Sequence, residues 1–319
     1  MTHPPHSPDT VPFSSPFSAR ATAAEVIEGV DLGGRRAVVT GGASGLGAET
    51  VRALATAGAE VTIATRRPAS AEPLIRELAT VPGAGRVLAE PLDLAEPASV
   101  DTFTRAWRGP LHILVANAGI MALPRRTLAP NGWESQLATN HLGHFALALG
   151  LHGALREAGA ARLVVVSSGA HLDAPFDFDD PHFERRPYDP WAAYGQSKTA
   201  DILLAMGAAR RWAADGITAN ALNPGYVLTG LQRHVDDATM RAFGVMDASG
   251  NVTPPPHYKT PEQGAATSVL LAASPLAHGI TGRYLEDNQE NGAALAPHAA
   301  DPEAADRLWA YARAAARGA

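Results

Sequence analysis

The sequence predicts an α/β protein with one domain, a doubly wound and mostly parallel sheet flanked by helices. Three observations predict it. Short apolar segments recur along the chain and alternate with helical patterns, which argues for successive βα units in one sheet. One of these segments, Leu163-Val164-Val165-Val166, is apolar without alternation, as a strand buried on both faces of a parallel sheet requires. A glycine-rich turn, Gly41-Gly42-Ala43-Ser44-Gly45-Leu46-Gly47, stands directly between an apolar strand pattern and an alanine-rich helix. The 319 residues could hold two small domains, but the uninterrupted alternation and the lack of an internal repeat favour one.

In chain order, residues 1–20 are dominated by Pro, Ser, Thr and His and lack the basic start and apolar run of a secretory signal. They predict a flexible arm over residues 1–24 ahead of a body over 25–319. The alternative is that Phe13 and Phe17 dock the arm on the body or on a partner subunit. Arg36 to Thr40 is the first strand, and the glycine turn follows at once. Such a turn lets the backbone approach a pyrophosphate while the free N–H groups of the next helix face its charge. Nucleotide binding is therefore expected there.

Glu60 to Thr65 makes the second strand, and Arg66-Arg67 follow where an NAD site usually carries an acid for the ribose hydroxyls. Guanidiniums there suit a 2′-phosphate, so NADPH is expected to be preferred, with NADH as the alternative. Val87 to Leu92 is a third strand closed by Asp93-Leu94, and Leu111 to Val115 a fourth followed by Asn117-Ala118-Gly119. Asn131 to Gly153 has a helical pattern that contains Asn140, His141 and His144. The two histidines lack an acidic or cysteine partner at ligand spacing, so no metal is expected and they read as packing or surface residues.

Arg162 to Ser167 is the fifth strand and delivers Ser167-Ser168 to the sheet edge. A connection over residues 175–191 then carries Phe176, Phe178, Phe183, Tyr188 and Trp191, five of the chain's 19 Phe, Tyr and Trp. That density fits a lid over a lipophilic or ring-bearing substrate, or equally a set of anchors that pin a long loop. The helix from Trp191 to Trp212, a strand from Thr218 to Asn223 ending in Pro224-Gly225, an irregular stretch over 230–260, a helix from Pro261 and a last strand near Gly282 to Leu285 complete the series. Residues 230–260, with Val235, Met240, Phe243, Val245 and Met246, are expected to wall the substrate opposite the 175–191 connection.

Composition excludes several classes. The formal charge of −6 arises from 26 basic and 32 acidic residues without a long block of either sign, so nothing marks a nucleic-acid or anionic-membrane surface. There is no cysteine, which removes disulfides, thiolate metal sites and cysteine nucleophiles. No apolar run approaches the length of a membrane span. A soluble, cytoplasmic protein with a small-molecule partner is the expectation.

The stretch Tyr194-Gly-Gln-Ser-Lys198 holds the chemistry. A spacing of four places the phenol and the ammonium on one helical face. An ordinary tyrosine, with a pKa of about 10, needs about 4 kcal/mol of phenolate stabilisation to exchange protons near pH 7. A fixed cation can supply much of that.

Taken together, Thr40-Gly41-xxx-Gly45-x-Gly47, Asp93, Asn117-Ala118-Gly119, Asn140, Ser168, Tyr194-xxx-Lys198 and Pro224-Gly225 resemble the short-chain dehydrogenase/reductase family from about Leu32 to Leu285. The Asn-His-Leu-Gly-His-Phe stretch and the Ser168-to-Tyr194 spacing are similar to its branch of retinol dehydrogenases, the WW-domain oxidoreductase and protochlorophyllide reductase. The resemblance implies a Rossmann-type fold and hydride transfer between NADP(H) and a lipophilic ketone or secondary alcohol. Tyr194 would be the general acid or base, Lys198 its cation and ribose ligand, Ser168 the donor to the reacting oxygen, and Asn140 the holder of a water. Gly41, Ser44, Gly45, Leu46 and Gly47 would hold the phosphates, Asp93 and Leu94 the adenine, Asn117 the adenosine ribose, and Pro224, Val227 and Thr229 the nicotinamide. A homodimer or homotetramer through the helices carrying Asn140 and Tyr194 is implied, with a monomer as the alternative. Reduction of a polarised C=C bond and a non-catalytic NADP-binding sensor are the competing readings.

Overall fold

The computed structural model describes residues 11–291 and 294–318. Its centre is a seven-stranded sheet of β1 (Arg36–Thr40), β2 (Glu60–Thr65), β3 (Val87–Pro91), β4 (Ile113–Ala116), β5 (Ala161–Val166), β6 (Ile217–Asn223) and β7 (Tyr284–Glu286). The order is β3-β2-β1-β4-β5-β6-β7 and every neighbouring pair is parallel. The chain thus builds outward from β1 in one direction, then returns and builds in the other. That reversal opens a crevice at the carboxyl ends of β1 and β4, where open sheets of this kind take ligands.

Among the described residues, the helices that cover the two faces include α1 (Ala23–Ile27), α2 (Gly45–Thr56), α3 (Glu72–Leu78), α4 (Pro97–Ala106), α5 (Gly143–Gly150), α6 (Pro190–Trp212), α7 (Ala266–Ala273) and α8 (Pro302–Gly318). Alternate strand residues divide between two cores. Val39, Val61, Ile63, Val115 and Val164 pack with α1, α2, α3 and α7, whereas Val38, Leu114, Leu163 and Val165 pack with α4, α5, α6 and α8. Both faces are covered, which is why β5 is apolar from Leu163 to Val166. Each such Val or Leu contributes about 1.5–3 kcal/mol by leaving water.

Two sequence expectations change here. The helix expected from Asn131 starts only at Ser135, because Gly132 takes φ 86° in a turn and the Glu134 carboxylate then caps the amides of Gln136 and Leu137. A wide π turn, Ala138–Leu142, follows before α5 begins, and it carries Asn140. The arm expected to be flexible over residues 1–24 lies against the body from Val11 onward, while residues 1–10 lie outside the described residues. Phe13 and Phe17 pack on the α2/α7 core, Phe13 N–H donates to Glu290, and Gln289 bonds to the backbone of Ser15 and Phe17. Arg20 donates to the carbonyls of Pro256 and Tyr258, and Thr22 with Glu25 forms a capping box on α1.

α8, which the strand and helix patterns did not reveal, buries Ala305, Leu308, Trp309 and Ala312 against α5 and α6, with Trp309 on Phe145 at 5.0 Å and on Trp212 at 5.5 Å. α6 is buried along nearly its whole length. No helix among the described residues is long and apolar enough to cross a membrane.

Candidate active site

A cavity of about 830 Å³ opens at the carboxyl edge of the sheet. Leu46, Asn117, Ser168, Tyr194, Lys198, Pro224, Val227 and Thr229 line it, so eight of the residues singled out from sequence converge there. Gly41, Ser44, Gly45 and Gly47 form the turn beside it. A Cβ on Gly47 would sit 2.4 Å from the Gly41 carbonyl oxygen and 2.6 Å from Asn117 Nδ2, so only glycine fits. Gly41 has φ 66°, which also favours glycine. Ser44 precedes α2 but its side chain makes no cap, so the first amides of the helix keep their capacity for an anion.

Thr40 ties this turn to the rest of the site. Its hydroxyl oxygen accepts the N–H groups of Asn117 and Ala118, both at 2.9 Å, while Asn117 Nδ2 donates back to the Thr40 carbonyl at 2.8 Å. His144 Nδ1 faces the Asn140 carbonyl at 2.7 Å and must carry the proton, so Nε2 accepts from the Thr40 hydroxyl at 2.8 Å. Burial pushes the His144 pKa down to about 4, against Asp201 and the Asn140 carbonyl, and the ring stays neutral at pH 7. The histidine expected to be packing is therefore also a strut between β1 and the π turn.

Tyr194 and Lys198 project from α6 on one face. Gly195 lets that helix close onto the Ser168 turn, since a Cβ there would lie 2.4 Å from the Ala170 carbonyl oxygen. Lys198 Nζ lies 5.8 Å from the Tyr194 ring centre and donates to the Val166 carbonyl at 2.9 Å and to Asp201 Oδ2 at 2.8 Å. Burial opposes the charge of Lys198, but Asp201 and then Tyr194 outweigh it and leave its pKa raised. Ser167 donates to the Lys198 carbonyl at 2.8 Å, so its hydroxyl proton is spent. Ser168 accepts from the Ala170 amide and keeps its own proton for a ligand, which separates the two serines physically. His171 bonds the Ser168 carbonyl at 2.7 Å and fixes the turn from below.

Asn140 is fully buried and does not line the cavity. Its side chain clasps Ile120, accepting the amide N–H and donating to the carbonyl, both at 2.9 Å, and also donates to Ser197. Arg66, Asp93 and Leu94 stand at the same sheet edge but outside the cavity wall. Arg66 is exposed; burial and then the Arg66 charge lower the pKa of Arg233, a residue from the opposite lip. Asp93 bonds Ala95 and Ser99, and Leu94 lies under Gly143.

The 175–191 connection does not overhang the site as a lid. Phe176 packs on Phe178 and Tyr311, Phe183 on Tyr188, and the Tyr188 hydroxyl takes a hydrogen bond from Gln136; these four rings are anchors. Burial works against the Asp180 charge, yet the amides of Glu184, Arg185 and Arg186 hold its pKa at about 2 and close the loop around it. Only Trp191 of the five aromatics reaches the cavity, where it meets Phe243 at 5.7 Å. The opposite wall comes from Leu231, Gln232, Met240, Phe243, Val245, His257 and Tyr258. Sequence reasoning missed Asp201, whose signal is a lone carboxylate inside the apolar run after Lys198.

A nucleotide-sized crevice beside a glycine turn, with a tyrosine, a serine and a lysine converging on it, defines a dinucleotide-dependent oxidoreductase site on a doubly wound fold. The comparisons with known proteins agree. The family model for short chain dehydrogenases matches residues 35–239. A "Probable oxidoreductase" of Streptomyces antibioticus is 76% identical over 91% of this chain and 100% of its own length. Mouse polyprenol dehydrogenase is 40% identical over 87% of this chain and 82% of its own, and human retinol dehydrogenase 14 is 36% identical over 86% and 84%. Among solved structures, an uncharacterized protein from Mycobacterium paratuberculosis superposes with a TM-score of 0.73 at 32% identity, covering 93% of this chain and 98% of that one. The Pseudomonas aeruginosa RhlG/NADP complex gives 0.61 at 26% identity, covering 83% and 98%. The chain belongs to the short-chain dehydrogenase/reductase family, in its retinol dehydrogenase branch.

Proposed function

We propose that the protein is an NADPH-dependent reductase of lipophilic ketones, or the dehydrogenase of the corresponding secondary alcohols. The observation that carries this reading is the convergence of the Tyr194 phenol and the free Ser168 hydroxyl on one apolar cavity, with the Lys198 ammonium buried behind them. The glycine turn and uncapped α2 fit a pyrophosphate, and the exposed Arg66, close in charge to Arg233, fits a 2′-phosphate better than bare ribose hydroxyls. Gly41, Ser44, Gly45, Leu46 and Gly47 would hold the phosphates, Arg66, Asp93, Leu94 and Asn117 the adenosine half, and Pro224, Val227, Thr229 and Lys198 the nicotinamide half. When bound, the nicotinamide supplies the hydride.

The protein's own residues supply the rest. Tyr194 gives its proton to the oxygen of the reduced carbonyl, and Ser168 donates a hydrogen bond to that same oxygen as negative charge develops. Lys198 favours the phenolate that is left, by charge rather than by contact. Met121, Trp191, Leu231, Met240, Phe243 and Val245 exclude water and select an apolar substrate body. Polyprenol and retinol, in the names of two relatives, are lipophilic alcohols of this kind.

The test follows NADPH consumption by the wild type and by Tyr194→Phe across aliphatic, aromatic and steroid-like ketones, aldehydes and enones. Turnover that collapses in the variant is the expected result. Turnover confined to enones, with a saturated ketone as product, would move the reaction to the C=C bond. Tight NADPH binding with no turnover anywhere would favour a sensor.

A further inference from the structure

The whole sequence contains two lysines, Lys198 and Lys259, and every other basic side chain apart from histidine is arginine. Lys198 is 4% exposed and sits in the polar heart of the site. Tyr194 and Asp201 face it on its own helix, His144 on α5 feels its charge, His141 on the π turn stands across Asp201 from it, and β5 offers the Val166 carbonyl. Asp201 is 1% exposed and lies in the run Thr199-Ala200-Asp201-Ile202-Leu203-Leu204, all buried. Its Oδ2 takes the Lys198 hydrogen bond at 2.8 Å. Its Oδ1 has no hydrogen bond and looks at His141 Nδ1 at 3.7 Å, and neither nitrogen of that buried ring has a hydrogen-bond partner.

A lysine this deep would shed its proton if left alone, since burial disfavours the charged form. A neutral amine could neither favour the Tyr194 phenolate nor hold a ribose by charge. An ion pair in an apolar helix face is an expensive arrangement for stability alone. We propose that Asp201 is a positioning residue of the active site: its carboxylate keeps Lys198 an ammonium and aims it between Tyr194 and the Val166 carbonyl. His141 stands 3.7 Å from the carboxylate's other oxygen. The proposal rests on the reductase reading for its kinetic consequence, and on geometry alone for the protonation state of Lys198.

The experiment exploits the two lysines. Protein labelled with ¹⁵N and ¹³C lysine gives two side-chain amine signals, which Lys259→Arg assigns. In the wild type the Lys198 signal should titrate above the ordinary lysine value of about 10.4. In Asp201→Asn, which keeps the shape and loses the charge, its midpoint should fall by about one to three units, while Lys259, paired with Asp287, stays put. Asp201→Glu should restore most of the shift. With NADPH and acetophenone as the probe, kcat of Asp201→Asn should drop at least about tenfold above its lowered midpoint and recover below it, because Lys198 regains its charge as pH falls. An unchanged Lys198 midpoint in Asp201→Asn, or a rate loss equal at every pH, overturns the proposal. Should that variant not fold, a wild-type midpoint at or below the ordinary value does the same. A wild type silent on all carbonyls, with the lysine shift intact, counts against the reductase reading instead.

Discussion

The two walls of the cavity are built to different standards. On one side Tyr194 and Lys198 are buried on a long helix beside the half-buried Ser168 at a strand end, and Thr40, Asn140, His144 and Ser167 bond the surrounding β1, β5 and π turn. On the other, residues 226–258 form a short 3-10 turn, a six-residue helix (Asp237–Ala242) and isolated bridges between Val227 and Lys259 and between Met246 and Val252. Tyr226 is 68% exposed there and Phe243 47%. Groups that move protons need fixed geometry, and groups that recognise a substrate body can adapt. On the proposed function, one molecule would thus carry a rigid chemical wall and a compliant specificity wall.

That contrast can be broken by substitution. Tyr194→Phe, on the rigid wall, should lower kcat by about 10²- to 10⁴-fold with NADPH affinity unchanged, as steady-state kinetics and a binding titration would show. A loss in KM alone would mean the phenol only packs. Next comes acid stability. The folded pKa of His144 is held near 4 against 6.5 when unfolded, so the unfolded chain binds the proton first. Stability present above pH 6.5 should decline as pH falls toward 4, by about 3 kcal/mol from this group, and denaturant melts of His144→Gln should lack most of that decline. The rigid wall would then be the acid-sensitive one.

Arg66→Ala should cost about 1.5–3 kcal/mol of NADPH binding, roughly tenfold to a hundredfold, and leave NADH untouched. Equal losses for both would place Arg66 elsewhere than at a 2′-phosphate. The smallest effect belongs to the compliant wall. Phe243→Ala should raise KM for bulky aromatic ketones a few-fold, about 1 kcal/mol, with kcat for small ones held. A collapse of kcat would show that this wall too is part of the chemical scaffold.

What the sequence revealed follows the same division. Strands β1 and β2, the glycine turn and the Tyr194 helix were legible because each is written locally, by an apolar run, a required glycine or a helical spacing. The arrival of the Ser167-Ser168 pair at the sheet edge was legible from its place after the fifth strand. Asp201 was not, because its meaning depends on a lysine it meets only when both are buried. The π turn leaves no periodic mark, and the Phe176 to Tyr188 rings look alike whether they cap a ligand or anchor a loop. α8 was passed over, although Leu308, Trp309 and Ala312 make one face of it, because the patterns that name the fold end at β7.

The docked N-terminal segment has a consequence for how the chain is made. Phe13 bonds Glu290 across 277 positions, and Ser15 bonds Gln289 across 274. The segment around Phe13 must therefore wait for residues made 277 positions later before it finds its seat. Closing so long a loop adds only modest entropy cost, yet no contact rewards it until the sheet edge at β7 exists. The same residues grip the Asn288 loop and, through Arg20, the Tyr258 rim of the cavity, so the compliant wall should be the last region to set during synthesis.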